Sequence, residues 1–273
     1  MSATPATCYR AAMPSQDDKL HEALVVPRHD RLTLPDSEVE ERPGWVQITT
    51  PSVRTGMLNE VLLAILQDAE ADAVIDRTIA RYRALGVSYK WCVGPDSRPT
   101  DLAERLERRG LERWMCKVMT RETTPLEAAV PAGVTVEEVD EASLPAYIQT
   151  LAAGWDSPLD ETERVQRHAR TQRPRNLQFL ARLDGVPAGA AGYVAHARSA
   201  YFVAAVVLPA YRGRGVYRAL LDARLRHARA AGLALATTQA RESTSAPILE
   251  RVGFETVGRY PVFGERVRPA AGR

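Results

Sequence analysis

The chain has 273 residues, 45% apolar and 26% charged, which is the composition of a folded globular protein and, at roughly 100–200 residues per domain, the length of two domains. Its 36 basic and 34 acidic side chains leave a formal charge of only +2, too little for a dedicated nucleic-acid binder. Cys8, Cys92 and Cys116 are odd in number and lack metal-ligand spacing, so neither a metal site nor a disulfide framework is expected.

The strongly apolar stretches, such as Val61–Leu66 and Val203–Leu208, are strand-length, and Gln16–Lys19 is polar where a secretion signal needs an apolar core. No membrane association is expected, and the expected location is cytoplasmic. Lys19, Lys90 and Lys117 are the only lysines. With the abundant alanine, this reads as a genomic composition bias, although arginine is also the better fork for phosphate and carboxylate.

The first half shows one patterned unit. A helix stops at Gly86, a short strand and a polar loop follow, a second helix stops at Gly110, and a strand begins. The same order returns downstream. Leu106-Glu107-Arg108-Arg109-Gly110-Leu111 matches Leu249-Glu250-Arg251-Val252-Gly253-Phe254 at an offset of 143 residues, and Arg83–Val87 matches Arg229–Leu233 at an offset of 146. Two matched helix ends flanking matched element types indicate an internal duplication with a small register drift. The copies differ in length, because little patterned sequence precedes Trp45 whereas the second copy has some 140 residues from about Gly133.

In the second copy, alternation predicts a strand over Val134–Val139, a helix over Ser143–Ala153, and another running to about Thr171 with Ser157 as cap and Pro158 at its first position. Asn176–Leu183 and Val186–Ala197 are strands about an Asp184-Gly185 turn, and Tyr201–Leu208 is a third. A helix over Gly215–Ala231, a strand over Ala234–Thr238, a helix ending near Val252 and a strand over Phe254–Phe263 complete the unit. This order implies an α/β fold with a mixed sheet and helices on both faces.

The chemistry gathers where the strand ending at Leu208 turns into a helix through Arg212-Gly213-Arg214-Gly215. Two glycines let the backbone approach a ligand, a helix N-terminus adds partial positive charge, and two arginines complete an anion cradle. The segment Arg212-Gly213-Arg214-Gly215-Val216-Tyr217 resembles the acetyl-CoA signature of the GNAT acyltransferase superfamily, with Gly215 in the first required-glycine place and Tyr217 where a second small residue usually stands. Leu249–Phe254 is similar to the helix and strand start that follow in that family, and Trp91–Pro99 resembles the shortened amino-terminal half of its two-domain bacterial members.

The resemblance implies tandem GNAT-like domains, a degenerate copy over residues 1–125 and an acyltransferase domain over 133–273. Offset from the cradle, the first copy carries Leu66-Gln67-Asp68-Ala69-Glu70-Ala71, whose carboxylates repel a pyrophosphate, so it is expected to bind no coenzyme.

The resemblance further implies acetyl transfer from acetyl-CoA to a primary amine of a small molecule or peptide, by direct attack. A backbone N–H at Val206–Val207 would polarise the thioester, and Arg212, Gly213, Arg214, Gly215, Val216 and Tyr217 would hold the coenzyme. The family's acidic tyrosine position is Leu249 here, and Ala200–Val207 carries no carboxylate. Substitutes within reach of the expected site are Ser243, Thr244 and Ser245, Tyr201, His196 and Glu242. Of these, Ser243 and Glu242 are candidate catalytic groups, and Ser243 and Thr244 are candidate coenzyme contacts. Trp155, Asp156 and Tyr201 are candidates for the acceptor side, an aromatic beside a carboxylate being suited to a cationic amine. Trp155 closing a helix hairpin, with Asp156 assisting the cap, is the plainer reading. Another acyl-CoA-dependent reaction, a non-catalytic acyl-CoA sensor and a homodimer all stay open.

Overall fold

The structure is a computed structural model that describes residues 14–127, 131–172 and 174–266; Cys8 lies outside them. The first half opens with a helical segment that the sequence reading left unplaced: α1 (Gln16–Leu20), a π-helical turn (His21–Val25) and α2 (Val26–His29). Ser15 and Asp18 form a reciprocal capping box at its start. There follow β1 (Glu38–Arg42), β2 (Trp45–Thr49), β3 (Glu60–Ala64), α3 (Asp68–Leu85), β4 (Tyr89–Cys92), α4 (Leu102–Arg108) and β5 (Glu112–Glu122).

The second half comprises β6 (Val134–Glu138), α5 (Leu144–Trp155), α6 (Leu159–Thr171), β7 (Asn176–Leu183), β8 (Val186–Ala195) and β9 (Ser199–Val207). It continues with α7 (Val216–Ala230), β10 (Leu235–Arg241), α8 (Ala246–Arg251) and β11 (Glu255–Glu265). One expectation is corrected here: α6 is preceded by Pro158 as its cap residue, with no side-chain cap from Ser157, because α5 ends immediately before at Asp156 in the left-handed region (φ 52°).

All eleven strands join one mixed sheet in the order β1-β2-β3-β4-β11-β5-β10-β9-β8-β7-β6. The halves exchange their last strands. β5 pairs with β10 of the second half, and β11 pairs with β4 of the first. The register carries the duplication read from sequence. Cys116 faces Tyr260 and Lys117 faces Arg259, and these pairs interchange under the 143-residue offset, so a local two-fold passes between them. Likewise Trp91·Phe263 and Cys92·Val262 on one side become Thr237·Thr120 and Thr238·Met119 on the other, under offsets of 146 and 143. The three-residue drift falls between β4 and α4, in the loop through Gly94 and Pro99.

Strand alternation sorts the side chains into two layers. Trp45, Val61, Trp91 and Phe263 pack with α3 and α4, and the face of β7–β10 carrying Phe202 and Ala236 packs with α7 and α8. The opposite face carries Cys92, Val118, Tyr260 and Val262 against the N-terminal helices, and Leu180, Ala190 and Val206 against α5. Across this second face α6 is tied to the first half, where buried Glu161 accepts from the backbone N–H of Arg54 (2.7 Å) and from Thr55. Ser199 donates to buried Glu22 at 2.8 Å, which anchors the N-terminal helices to the second half.

Because Phe263 is fully buried in the first half's core, Phe263→Ala should cost about 3–5 kcal/mol. Urea melts followed by tryptophan fluorescence and by circular dichroism should shift together as one transition; a first half that melts alone would contradict the strand exchange.

Candidate active site

The sheet opens between β9 and β10. These parallel strands pair only from Ser199–Tyr201 to Leu235–Thr237, after which β10 continues along β5 while β9 runs on to Val207. The cause is visible in β9. Its pairing with β8 steps from Gly192·Val203 to Ala190·Val206, which leaves one extra residue on β9, and Ala204 sits in the left-handed region at φ 57°. A residue with a side chain held there costs on the order of 1–3 kcal/mol, and the bulge that holds it bends the strand. Beyond the bulge, Leu208 N–H donates to Ala188 O at 2.9 Å, so alternation turns the Val207 N–H to the other edge, into the gap. The Val207 carbonyl, on that same edge, accepts from Arg212 Nε at 3.3 Å.

At the mouth of the gap the chain makes a 3₁₀ turn at Pro209–Tyr211 and enters α7 through Gly213 (φ 75°) and Gly215 (φ 79°). The two glycines do different things. A Cβ on Gly213 would meet no atom within 4 Å, whereas one on Gly215 would lie 2.3 Å from Pro131 Cγ, so the close approach at Gly215 is made by the segment joining the halves. Arg212 and Arg214 are exposed, and Arg214 is only loosely paired, 3.6 Å from Asp184. Val216 is buried beneath the first turn of α7, and Tyr217 is half-buried, its phenol pushed up by burial. The cradle is thus an exposed, electropositive helix start beside an unpaired strand edge.

The corresponding junction of the first half is built with the opposite sign. Gln67 precedes α3, Asp68 and Glu70 fill its first turn, and Arg105 of α4 and Arg109 just after it bind Asp68, Asp72 and Asp76. Side chains of the protein itself occupy the field that a helix N-terminus would offer an anion.

On the face of the sheet bearing α5 and α6, the gap leads into a cleft of about 450 Å³ lined by both halves. Of the acceptor-side candidates, Tyr201 and Trp155 line it. Asp156 does not: it terminates α5 in the left-handed conformation, and no side-chain cap at the start of α6 accompanies it. Glu242 is held by Arg259 at 2.7 Å and is not part of the cleft, and Ser243 and Thr244 are exposed in the loop after β10, near the cradle's side of the gap. Leu249 is buried in the core.

The cleft's charges come from residues that sequence reasoning missed. Glu60 of β3 and Lys90 of β4 are cross-strand neighbours paired at 2.7 Å. Burial disfavours the Lys90 charge, but Glu60 more than offsets this and holds the ammonium above its ordinary range. Burial, then the Glu60 charge, pushes the Cys92 thiol up to about 12 and the Tyr201 phenol higher still. Arg28, Asp30 and Arg31 follow from the N-terminal helices; Arg28 is buried on Asp96, with Nη2 to Oδ1 at 2.9 Å. Two signals were present in the sequence: the Ser15–Asp18 capping box, and, at 90, one of only three lysines in an arginine-rich chain. Among the described residues no cluster of His, Cys, Asp and Glu is placed to hold a metal ion, and no helix is long and apolar enough to cross a membrane.

His196 lies behind the cleft, stacked on Tyr201 at 5.9 Å, with Nε2 3.4 Å from Asp30. Burial lowers its pKa below the usual 6.5, against the opposing pull of Asp30 and Glu22. The unfolded chain then binds more protons than the folded one just below pH 6.5, so the His196 contribution is present above that pH and is lost as pH falls through the lowered value. His196→Gln should flatten the decline of the urea midpoint below pH 6.5; an unchanged decline would remove His196 as its source.

Residues 138–254 match the acetyltransferase (GNAT) family. Among solved structures the chain is similar to a GCN5-related N-acetyltransferase from Kribbella flavida, at 16% identity and a TM-score of 0.64 over 90% of this chain and 94% of that one. It is also similar to one from Sphaerobacter thermophilus (17% identity, TM-score 0.60, 94% and 95%). A third likeness is to a tandem GNAT protein from the clavulanic acid biosynthesis pathway (16%, 0.58, 96% and 90%). No curated protein matches the sequence. At such identities the likeness to solved structures carries the fold, and it spans both halves. Residues 138–254 are thus similar to the acetyltransferase (GNAT) family, and the chain as a whole has the fold of tandem GNAT proteins.

Proposed function

We propose that the protein transfers an acetyl group from acetyl-CoA to a primary amine, with the reaction confined to the gap between β9 and β10. The observation that carries this reading is the combination of an unpaired strand edge at Val207 with the glycine turn and exposed arginines that follow it. Arg212, Arg214 and the N–H groups of Gly213–Tyr217 would hold the coenzyme's phosphates, and the open space at Gly213 leaves room for a close approach. The coenzyme supplies the acyl group as a thioester, whose thiol leaves readily near its ordinary pKa of about 8.5.

The Val207 N–H would hydrogen-bond the acyl oxygen and stabilise the charge that develops there. The amine enters from the cleft, on the other side of the sheet from α7. Glu60 is assigned the proton given up by the attacking amine, in preference to Glu242, which Arg259 holds outside the cleft. With Leu249 buried and apolar, the departing thiolate takes its proton from water. The sequence unit 133–273 is read as the catalytic domain. The unit 1–125 is read as a scaffold without a phosphate loop, which contributes β5 beneath the site and Glu60 to the cleft.

Two measurements test this. Arg214→Glu should weaken acetyl-CoA binding by at least about tenfold, the loss of one charge-assisted contact, and unchanged affinity would remove the cradle from the account. Thiol release from acetyl-CoA with an amine panel should fall about 100-fold in kcat for Glu60→Gln. Coenzyme binding without turnover on any amine would favour a sensor instead.

A further inference from the structure

Two residues that line the cleft each carry a buried polar atom without a hydrogen-bond partner, and they make opposite demands. Arg31 is the first. Its side chain is 10% exposed, its Nε has no hydrogen-bond partner, and its one ion pair is a long one, Nη2 to Glu41 at 3.4 Å. Glu41 is shared with His29, which sits closer at 2.6 Å, and is half exposed, so it compensates the guanidinium weakly. Burial accordingly lowers the Arg31 pKa although Glu41 and Glu60 oppose the shift. Gln178 of β7 is the second. Its Nε2 donates to Gln166, but its buried Oε1 accepts nothing.

Both line one cleft. Gln178 is in lateral register with Gly192 and Val203, immediately before the β9 bulge, and Gly192 has no side chain to separate them. A Cβ there would lie 2.9 Å from the Leu177 carbonyl oxygen, so the close approach of the β7 backbone requires glycine at this position, and the Tyr147 hydroxyl stands 3.7 Å from the same point. Arg31 lines the same cleft with Ile48, Met57 and Leu58, and its neighbour Asp30 pairs with Arg175, three residues before Gln178. A buried, unpaired acceptor calls for an N–H donor, and a buried, under-compensated guanidinium calls for an anion.

We infer that the acceptor is an amino-acid-like amine, its amino group received near Gln178 beside the bulge and its carboxylate bound by Arg31. The inference rests on the acyl-transfer reading and deepens it. The remaining cleft charges, Arg28 on Asp96, Asp30 on Arg175 and Lys90 on Glu60, are already paired, which leaves no surplus of carboxylates for a polycationic acceptor. The apolar and aromatic lining suits a hydrophobic side chain, so leucine, methionine and phenylalanine are the natural probes.

The experiment compares each of these three with its decarboxylated amine, 3-methylbutylamine, 3-(methylthio)propylamine or 2-phenylethylamine. It uses thiol release from acetyl-CoA and, separately, calorimetric binding in the presence of free CoA. The expected preference for the carboxylate-bearing member is about 10- to 100-fold in kcat/KM and in affinity, the range of one charge-assisted hydrogen bond. In Arg31→Met the ratio should fall to near one, and Arg31→Lys should restore part of it. Turnover of the amines with no carboxylate preference in the wild-type protein overturns the inference and leaves acyl transfer standing. Preferential binding of the amino acids without turnover sustains the Arg31 subsite and overturns acyl transfer. Binding and turnover of neither class overturn both.

Discussion

The antiparallel pairing of β5 with β11 is the interaction on which the rest of the molecule depends. Each of these strands follows a glycine-stopped helix in its own half and then crosses to the other, so that neither half closes its sheet with its own last strand. The consequence reaches the site directly. β10 is held along β5 through seven consecutive residue pairs, which keeps it straight while the bulged β9 turns away. The gap exists because one of its walls is fixed by the first half and the other is bent by Ala204.

The same exchange explains how a duplicated fold comes to have one site. The two strand-to-helix junctions occupy equivalent places, but one is a glycine turn with exposed arginines and the other an acidic turn neutralised by Arg105 and Arg109. What the first half contributes instead is on the opposite face of the sheet. Glu60, Lys90 and the segment around Arg31 close the cleft into which the gap opens. One copy keeps the glycine turn with its arginines, and the other supplies walls and charges of the cleft.

Much of this was legible in residues. The repeat offsets of 143 and 146 reappear as strand register, because glycine-stopped helices fix where the following strands begin. The cradle was legible because glycines, arginines and a helix start form a local pattern. The cleft was not. Arg31, Glu60, Lys90 and Gln178 stand far apart in sequence: Glu60 meets Lys90 through the β3·β4 pairing inside the first half, and only the folded cleft brings that pair together with Arg31 and Gln178. Glu242, legible as a carboxylate after a strand, is drawn to Arg259, an ion pair set by the β5·β11 register. The bulge left no trace either, since Ala204 is an alanine where a left-handed residue would suggest glycine.

Hydrogen exchange measured with and without acetyl-CoA tests the central claim most directly, because it reads both junctions of the chain in one experiment. The account predicts slowed exchange at the amides of Val207 and Gly213–Tyr217, with no change over Leu66–Ala71. Protection at the start of α3, or none along the open edge of β9, would contradict it.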